Sequence, residues 1–178
     1  MSKNILIISS SPRKDGNSDT LCNEFLRGAT EAGHTAEKIF LKDKNIEYCR
    51  ACGYCYSNKT CIINDDMKDL LNKLKNADVI VLASPLYFYS IPAQMKVFID
   101  RLCSGYATIK NKEFYYIFTA ADTEPDSVQY ALGEYKGFLS CLENPVEKGY
   151  LFARGVWQKG EINNTSYPQK AYEMGKSC

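Results

Sequence analysis

The feature that most constrains this 178-residue chain is an alternation of two kinds of segment. Short β-branched or aromatic runs occur at 4–9 (NILIIS), 35–41 (TAEKIFL), 78–84 (DVIVLAS), 113–121 (EFYYIFTAA) and 146–153 (VEKGYLFA). Their near-continuous apolarity marks strands buried on both faces. Between them, residues 18–33, 64–77, 92–104, 126–142 and 166–178 read as helices. Leu21, Phe25 and Ala29 share a face of the first helix, and Met67, Leu70, Leu71 and Leu74 share a face of the second. Ser18 is placed to cap the first, with Gly33 as its stop. Asn64 or Asp65 is placed to cap the second, and Pro92 opens the third. Gly133 and Gly137 weaken the fourth. This order predicts a single α/β domain over 1–178, a doubly wound five-stranded parallel sheet flanked by helices. Ligands of such sheets bind beyond the carboxyl ends of the strands, where the strand order reverses. Functional residues are therefore expected in the loops that follow strands.

Three of those loops carry chemistry. The first, SSSPRKDGNSDT at 9–20, runs hydroxyls, an arginine, a glycine and an asparagine into a helix start. Unpaired N–H groups and the positive end of the helix dipole suit a phosphate there. Asp15 and Asp19 offset Arg13 and Lys14, so backbone amides and hydroxyls have to carry much of the binding. Neither GxxxxGK[ST] nor GxGxxG is present, so neither a Walker loop nor a nicotinamide-binding Rossmann turn is indicated. The second loop, SPLYFYSIP at 84–92, sets Tyr87, Phe88 and Tyr89 between two prolines and offers ring faces to a flat ligand. The third, TAADTEPD at 119–126, is small and polar enough for its backbone to approach a ligand edge. Together they describe a site for a mononucleotide with a flat ring system.

A formal net charge of +1 gives no electrostatic case for nucleic acid or for an anionic membrane surface. No apolar run is long enough to span a bilayer, and the first residues lack a signal-peptide h-region. A cytoplasmic location is expected.

The segments SSSPRKDGNSDTL, SPLYFYSIPAQMKVFIDR and GVWQKGEINN…AYEMGK resemble the flavodoxin-like NADPH-dependent FMN reductases over essentially the whole chain. Within that group, CRACGYCYSNKTCIINDDM resembles the iron–sulfur flavoproteins and their cluster-less relatives. The resemblance implies a flavodoxin-like sheet in the order 2-1-3-4-5, with FMN as cofactor. It implies a 5′-phosphate among Ser9, Ser11, Arg13, Asn17, Ser18 and Thr20, and a ring against Pro85, Leu86, Tyr87, Phe88 and Tyr89. Thr119, Ala120, Ala121 and Asp122 would border the ring's polar edge. It also implies a homodimer or tetramer, with NAD(P)H as an electron donor, a small-molecule acceptor such as a quinone or flavin, and a ferredoxin-like partner if a cluster is present. The chemistry would be centred on the flavin, with no acid–base side chain required. The alternative is a flavodoxin-type electron carrier without its own substrate. Such carriers are usually strongly acidic, and a charge of +1 argues against it.

Four of the eight cysteines, Cys49, Cys52, Cys55 and Cys61, fall in an insertion at about 45–65. Their C-x2-C-x2-C-x5-C spacing fits a [4Fe–4S] ligand set and resembles that of the iron–sulfur flavoproteins, with Gly53 allowing a tight turn. A zinc site, a two-cysteine redox pair and a cluster-less cap near the flavin stay open as readings. Cys22, Cys103 and Cys141 are assigned to helix packing. Asp100 and Arg101 are read as a surface or loop-anchoring pair, and Trp157 as a residue of the core or of a subunit interface.

Overall fold

The computed structural model describes residues 1–178. Strands β1 (Asn4–Ser9), β2 (Thr35–Phe40), β3 (Val79–Pro85), β4 (Glu113–Thr119) and β5 (Val146–Ala153) form one sheet in the order β2-β1-β3-β4-β5. Every neighbouring pair is parallel, as the alternation predicts. Helices α1 (Asn17–Glu31), α2 (Tyr54–Asn58), α3 (Met67–Asn76), α4 (Ala93–Arg101), α5 (Gln129–Leu139) and α6 (Tyr167–Lys176) complete the chain.

Each strand side chain points to the face opposite its neighbour's, so one strand feeds two cores. Ile5, Ile7, Val79, Val81, Tyr115 and Ile117 pack with Leu21, Phe25 and Ala29 of α1 and Ala171 of α6. Leu6, Ile8, Ile80, Leu82, Tyr116 and Phe118 pack with Leu70 and Leu74 of α3, Met95 and Phe98 of α4, and Leu132 and Tyr135 of α5. Right-handed crossovers place α1 on one face and α3 to α5 on the other. The order therefore reverses at β1, and the loops after β1 and β3 diverge at the carboxyl end of the sheet. That divergence opens the crevice in which the candidate site lies.

Element ends differ in detail from the sequence reading. The residue capping α1 is Gly16, two positions before Ser18, and no side chain caps this end. Helix α3 begins at Met67, and Asp65 still accepts the Met67 N–H. The short α2 inside the cysteine insertion was not expected, because five residues carry too little periodicity to be seen. At the edge strand β5 a register shift opposite Phe114 and Tyr115, with Gly149 at φ 136°, forms a bulge. Bulges of this kind discourage edge-to-edge pairing. No helix is long and apolar enough to cross a membrane.

Helices α1 and α6 meet backbone to backbone. A Cβ on Gly28 would lie 2.1 Å from the Tyr172 carbonyl oxygen, and one on Gly175 would lie 2.0 Å from the Phe25 carbonyl oxygen. Gly133 in α5 has nothing within 4 Å of that position. Gly175→Ala is expected to lower unfolding free energy by about 1–3 kcal/mol through overpacking. Gly133→Ala is expected to raise it by about 0.5–1 kcal/mol through helix entropy. Urea unfolding of the two variants measures both shifts.

Candidate functional site

Thirteen of the fifteen residues expected at the cofactor line one cleft: Ser11, Arg13, Asn17, Ser18, Pro85 to Tyr89, and Thr119 to Asp122. Ser9 and Thr20 do not. Ser9 is the last residue of β1, wholly buried, with its Oγ beside the Cys22 thiol and no hydrogen-bond partner. The Thr20 hydroxyl turns back onto the Gly16 carbonyl oxygen at 3.2 Å, one helical turn earlier. Gly16, Val156 and Trp157 line the cleft without having been singled out for it. Trp157 is 63% exposed, so it is a rim residue and not a core one.

One side of the cleft is built on the start of α1. Gly16 provides no side-chain cap, and the N–H groups of Asn17, Ser18 and Asp19 have no partner within the chain. Three free amides at the positive end of a fifteen-residue helix fit an anion. Gly16 also keeps the turn tight, because a Cβ there would lie 3.0 Å from both Cβ and carbonyl oxygen of Arg13. The nearby charge of Asp19 is already engaged. It is buried, paired with Lys38, and accepts the Asp15 N–H at 2.7 Å. Arg13 donates to the Trp157 carbonyl oxygen at 3.1 Å, and Asn17 donates to the Gln158 carbonyl oxygen at 3.0 Å. Both residues thus brace the loop after β5 against the loop after β1. The Ser18 and Thr119 hydroxyls hydrogen-bond at 2.7 Å and tie α1 to the end of β4.

The aromatic side is a two-residue hairpin. Tyr87 and Ser90 exchange backbone hydrogen bonds of 3.0 and 3.1 Å, with Phe88 and Tyr89 between them at φ 52° and 64°. Positive φ at both central residues is the type I′ pattern, which favours Gly and Asn. Two aromatic residues there store backbone strain, a feature that concentrates at ligand sites. Glu134 of α5 holds the hairpin by accepting from the Ser90 hydroxyl at 2.8 Å and the Ile91 N–H at 3.0 Å. Phe88 is fully exposed at 101%. Across the cleft, the N–H groups of Ala121 and Asp122 have no partner in the chain. Free amides at the helix start, ring faces on one side and free amides on the other fit FMN.

A second pocket lies in the insertion. Cys49, Cys52, Cys55 and Cys61 line it together, and Cys103, from the turn after α4, joins them. Cys103 is therefore not the packing residue expected from sequence. Burial and the neighbouring thiols of Cys55, Cys49 and Cys61 raise its thiol above the ordinary range. By contrast Cys22 is wholly buried, and burial pushes its thiol up to about 12, as suits an inert packing residue. No three His, Cys, Asp or Glu side chains stand close enough together to hold a single metal ion. A tetrahedral zinc needs sulfurs about 3.8 Å apart for Zn–S bonds of about 2.3 Å. Five thiols lining one pocket are the donor type that a cysteine-ligated iron–sulfur cluster requires.

The neck of the insertion is clasped by acidic side chains. Asp66 accepts the Asn45 N–H at 2.7 Å, and Asp65 accepts the Glu47 N–H at 3.0 Å and the Met67 N–H at 3.1 Å. Arg101, at the end of α4, forms a buried ion pair with Asp65 at 2.6 Å, both side chains being 1% exposed. Burial opposes the charge of Asp65. The Arg101 guanidinium and the two amides outweigh it and hold the carboxyl below the usual carboxylate range. Of the pair singled out in the sequence, Arg101 anchors the loop, while Asp100 pairs with Lys96 on the surface.

The chain is similar to known proteins in both sequence and fold. Residues 3–140 match the family described as NADPH-dependent FMN reductase. An iron–sulfur flavoprotein of Archaeoglobus fulgidus is 32% identical over 164 residues, covering 86% of this chain and 80% of that protein. Another from the same organism is 39% identical over 92 residues, covering 52% of this chain and 42% of that protein. The chain spans about half the length of most curated relatives it matches. In fold, an NAD(P)H:quinone oxidoreductase from Methanothermobacter marburgensis superposes with a TM-score of 0.75 at 19% identity, covering 99% of this chain and 97% of the other. The chain belongs to the NADPH-dependent FMN reductase family, on the branch of the iron–sulfur flavoproteins.

Proposed function

We propose that the protein is an FMN-dependent oxidoreductase that draws electrons from NAD(P)H or a ferredoxin-like partner and delivers them to a small acceptor such as a quinone. The observation that carries this reading is the cleft itself: unpartnered first-turn amides of α1 face a strained aromatic hairpin across the switch point. The amides of Asn17, Ser18 and Asp19 hold the phosphate. Arg13, fixed by the Trp157 carbonyl, adds positive charge beside it. Pro85 to Tyr89 supply the surface for the ring, and the Ala121 and Asp122 amides supply donors for its polar edge. FMN, when bound, supplies electron transfer in one- or two-electron steps. Cys49, Cys52, Cys55 and Cys61 hold a [4Fe–4S] cluster, which supplies single-electron transfer. The exposed Phe88 and Trp157 at the rim suit burial against a second copy in a homodimer.

Arg13→Ala is expected to weaken FMN binding by about 1–3 kcal/mol, as for loss of a charge-assisted hydrogen bond. Thr20→Ala, whose hydroxyl is turned onto Gly16, is expected to leave it unchanged. Quenching of FMN fluorescence during titration of apoprotein measures both, and equal losses would remove the helix-start site. Tyr89→Gly is expected to stabilise the apoprotein by about 1 kcal/mol by relieving left-handed strain, yet to weaken FMN binding by removing a ring. Thermal unfolding with the same titration separates these effects. Cys52→Ala is expected to abolish iron incorporation and retain FMN; loss of both would make the segment structural. The activity itself is tested anaerobically: NADPH or NADH should bleach the bound flavin, and a quinone should restore its colour. Flavin that stays oxidised with both nucleotides, and with reduced ferredoxin, would refute the assignment.

A further inference from the structure

Arg101 makes more contacts than loop anchoring requires. Its Nη1 donates to Asp65 Oδ2 at 2.6 Å and to the Glu47 carbonyl oxygen at 2.5 Å. Its Nη2 donates to Asp65 Oδ1 at 3.0 Å and also reaches Cys61 Sγ at 3.5 Å. The third donor, Nε, is buried without an acceptor in the chain. The buried guanidinium has Asp65 as its counter-ion, and its Nη2 also lies within hydrogen-bonding distance of the Cys61 sulfur, where it can favour negative charge. Asp65 balances the guanidinium from one side, and Cys61 lies on the other.

We propose that Arg101 is a positioning residue for the thiol pocket: it donates an N–H···S hydrogen bond to Cys61 and raises the reduction potential of the cluster bound there. This rests on the reading of Cys49, Cys52, Cys55 and Cys61 as [4Fe–4S] ligands. Reduction adds one electron and hence one negative charge to a group already anionic with four thiolates. A nearby positive charge and a hydrogen bond to sulfur both favour that more negative state. Asp65 acts in the opposite sense, so the pair sets the potential as well as the loop's position. Arginine suits the place because its planar fork reaches carboxylate, carbonyl and sulfur together, which a lysine ammonium cannot.

The test is an EPR-monitored redox titration of anaerobically purified, flavin-loaded protein, with iron and sulfide analysis. Two variants separate the contact with Cys61 from the countercharge at Asp65. Arg101→Lys keeps the charge for Asp65 but gives up the contact with Cys61. It is expected to shift the reduction equilibrium at least tenfold toward the oxidised cluster, 59 mV for a one-electron couple. Asp65→Asn keeps the arginine and is expected to shift it toward the reduced cluster. A purely structural role would alter thermal unfolding and loading without opposite shifts in potential. Unchanged potentials in both variants, or shifts of the same sign, with iron content retained, would overturn the proposal. Wild-type protein that holds flavin but no iron and sulfide would overturn the cluster reading instead, so the two failures are told apart. If Asp65→Asn does not fold, Arg101→Lys alone still decides between a negative shift and none.

Discussion

A parallel sheet can satisfy its backbone and hide both faces only if each strand returns through a right-handed crossover over one face. Everything functional in this chain depends on that constraint. With the order β2-β1-β3-β4-β5, the crossovers must switch faces at β1, and the loops after β1 and β3 are driven apart. The chain fills the resulting crevice with two different surfaces. One is the bare start of α1, with three unpartnered amides. The other is a hairpin whose aromatic residues sit in a backbone region they would normally avoid. The strain is sustained by Glu134, which grips the hairpin from α5, and by the Leu86 amide on the Thr119 carbonyl at 2.8 Å.

The same carboxyl end carries the cysteine insertion, which follows β2. Its large apolar side chains Tyr48, Tyr56 and Ile62 stay exposed, and α2 within it has no buried residue. Its position is therefore set by polar contacts at the neck. Asp65, Asp66 and Arg101 bind Asn45, Glu47 and Met67 and close the loop at its base. Breaking one side of a buried ion pair of this kind typically costs about 3–5 kcal/mol. The sign of its pH dependence follows from Asp65, whose carboxyl is held low: its contribution is present at neutral pH and is lost as acid protonates it.

Strands and long helices were legible because their signal is local. Runs such as 78–84 have no other reading, and β1 and β5 fall where the sequence placed them. The cleft was legible for the same reason, since three loops after strands supply most of it. What was hidden depends on direction and on contacts distant in sequence. Ser9 is lost to the core because the alternation of a strand turns it away from the cleft, and Thr20 because a helical hydroxyl can satisfy itself one turn back. Trp157 reaches the rim only through the pairing of β5 with β4. Cys103 and Arg101 join the cysteine insertion through the packing of α4, which no spacing rule within 49–61 could reveal. The positive φ of Phe88 and Tyr89 was likewise hidden, because the sequence there lacks the Gly or Asn that announces such a turn.

The proposed function puts two redox groups in one fold, FMN in the switch-point cleft and an iron–sulfur cluster in the thiol pocket. The most direct measurement is the visible spectrum of anaerobically purified protein together with its iron, sulfide and zinc content. Flavin bands with about four iron and four sulfide per chain are the predicted result. Flavin with neither iron nor sulfide would contradict the second half of the claim, and absence of flavin would contradict the first.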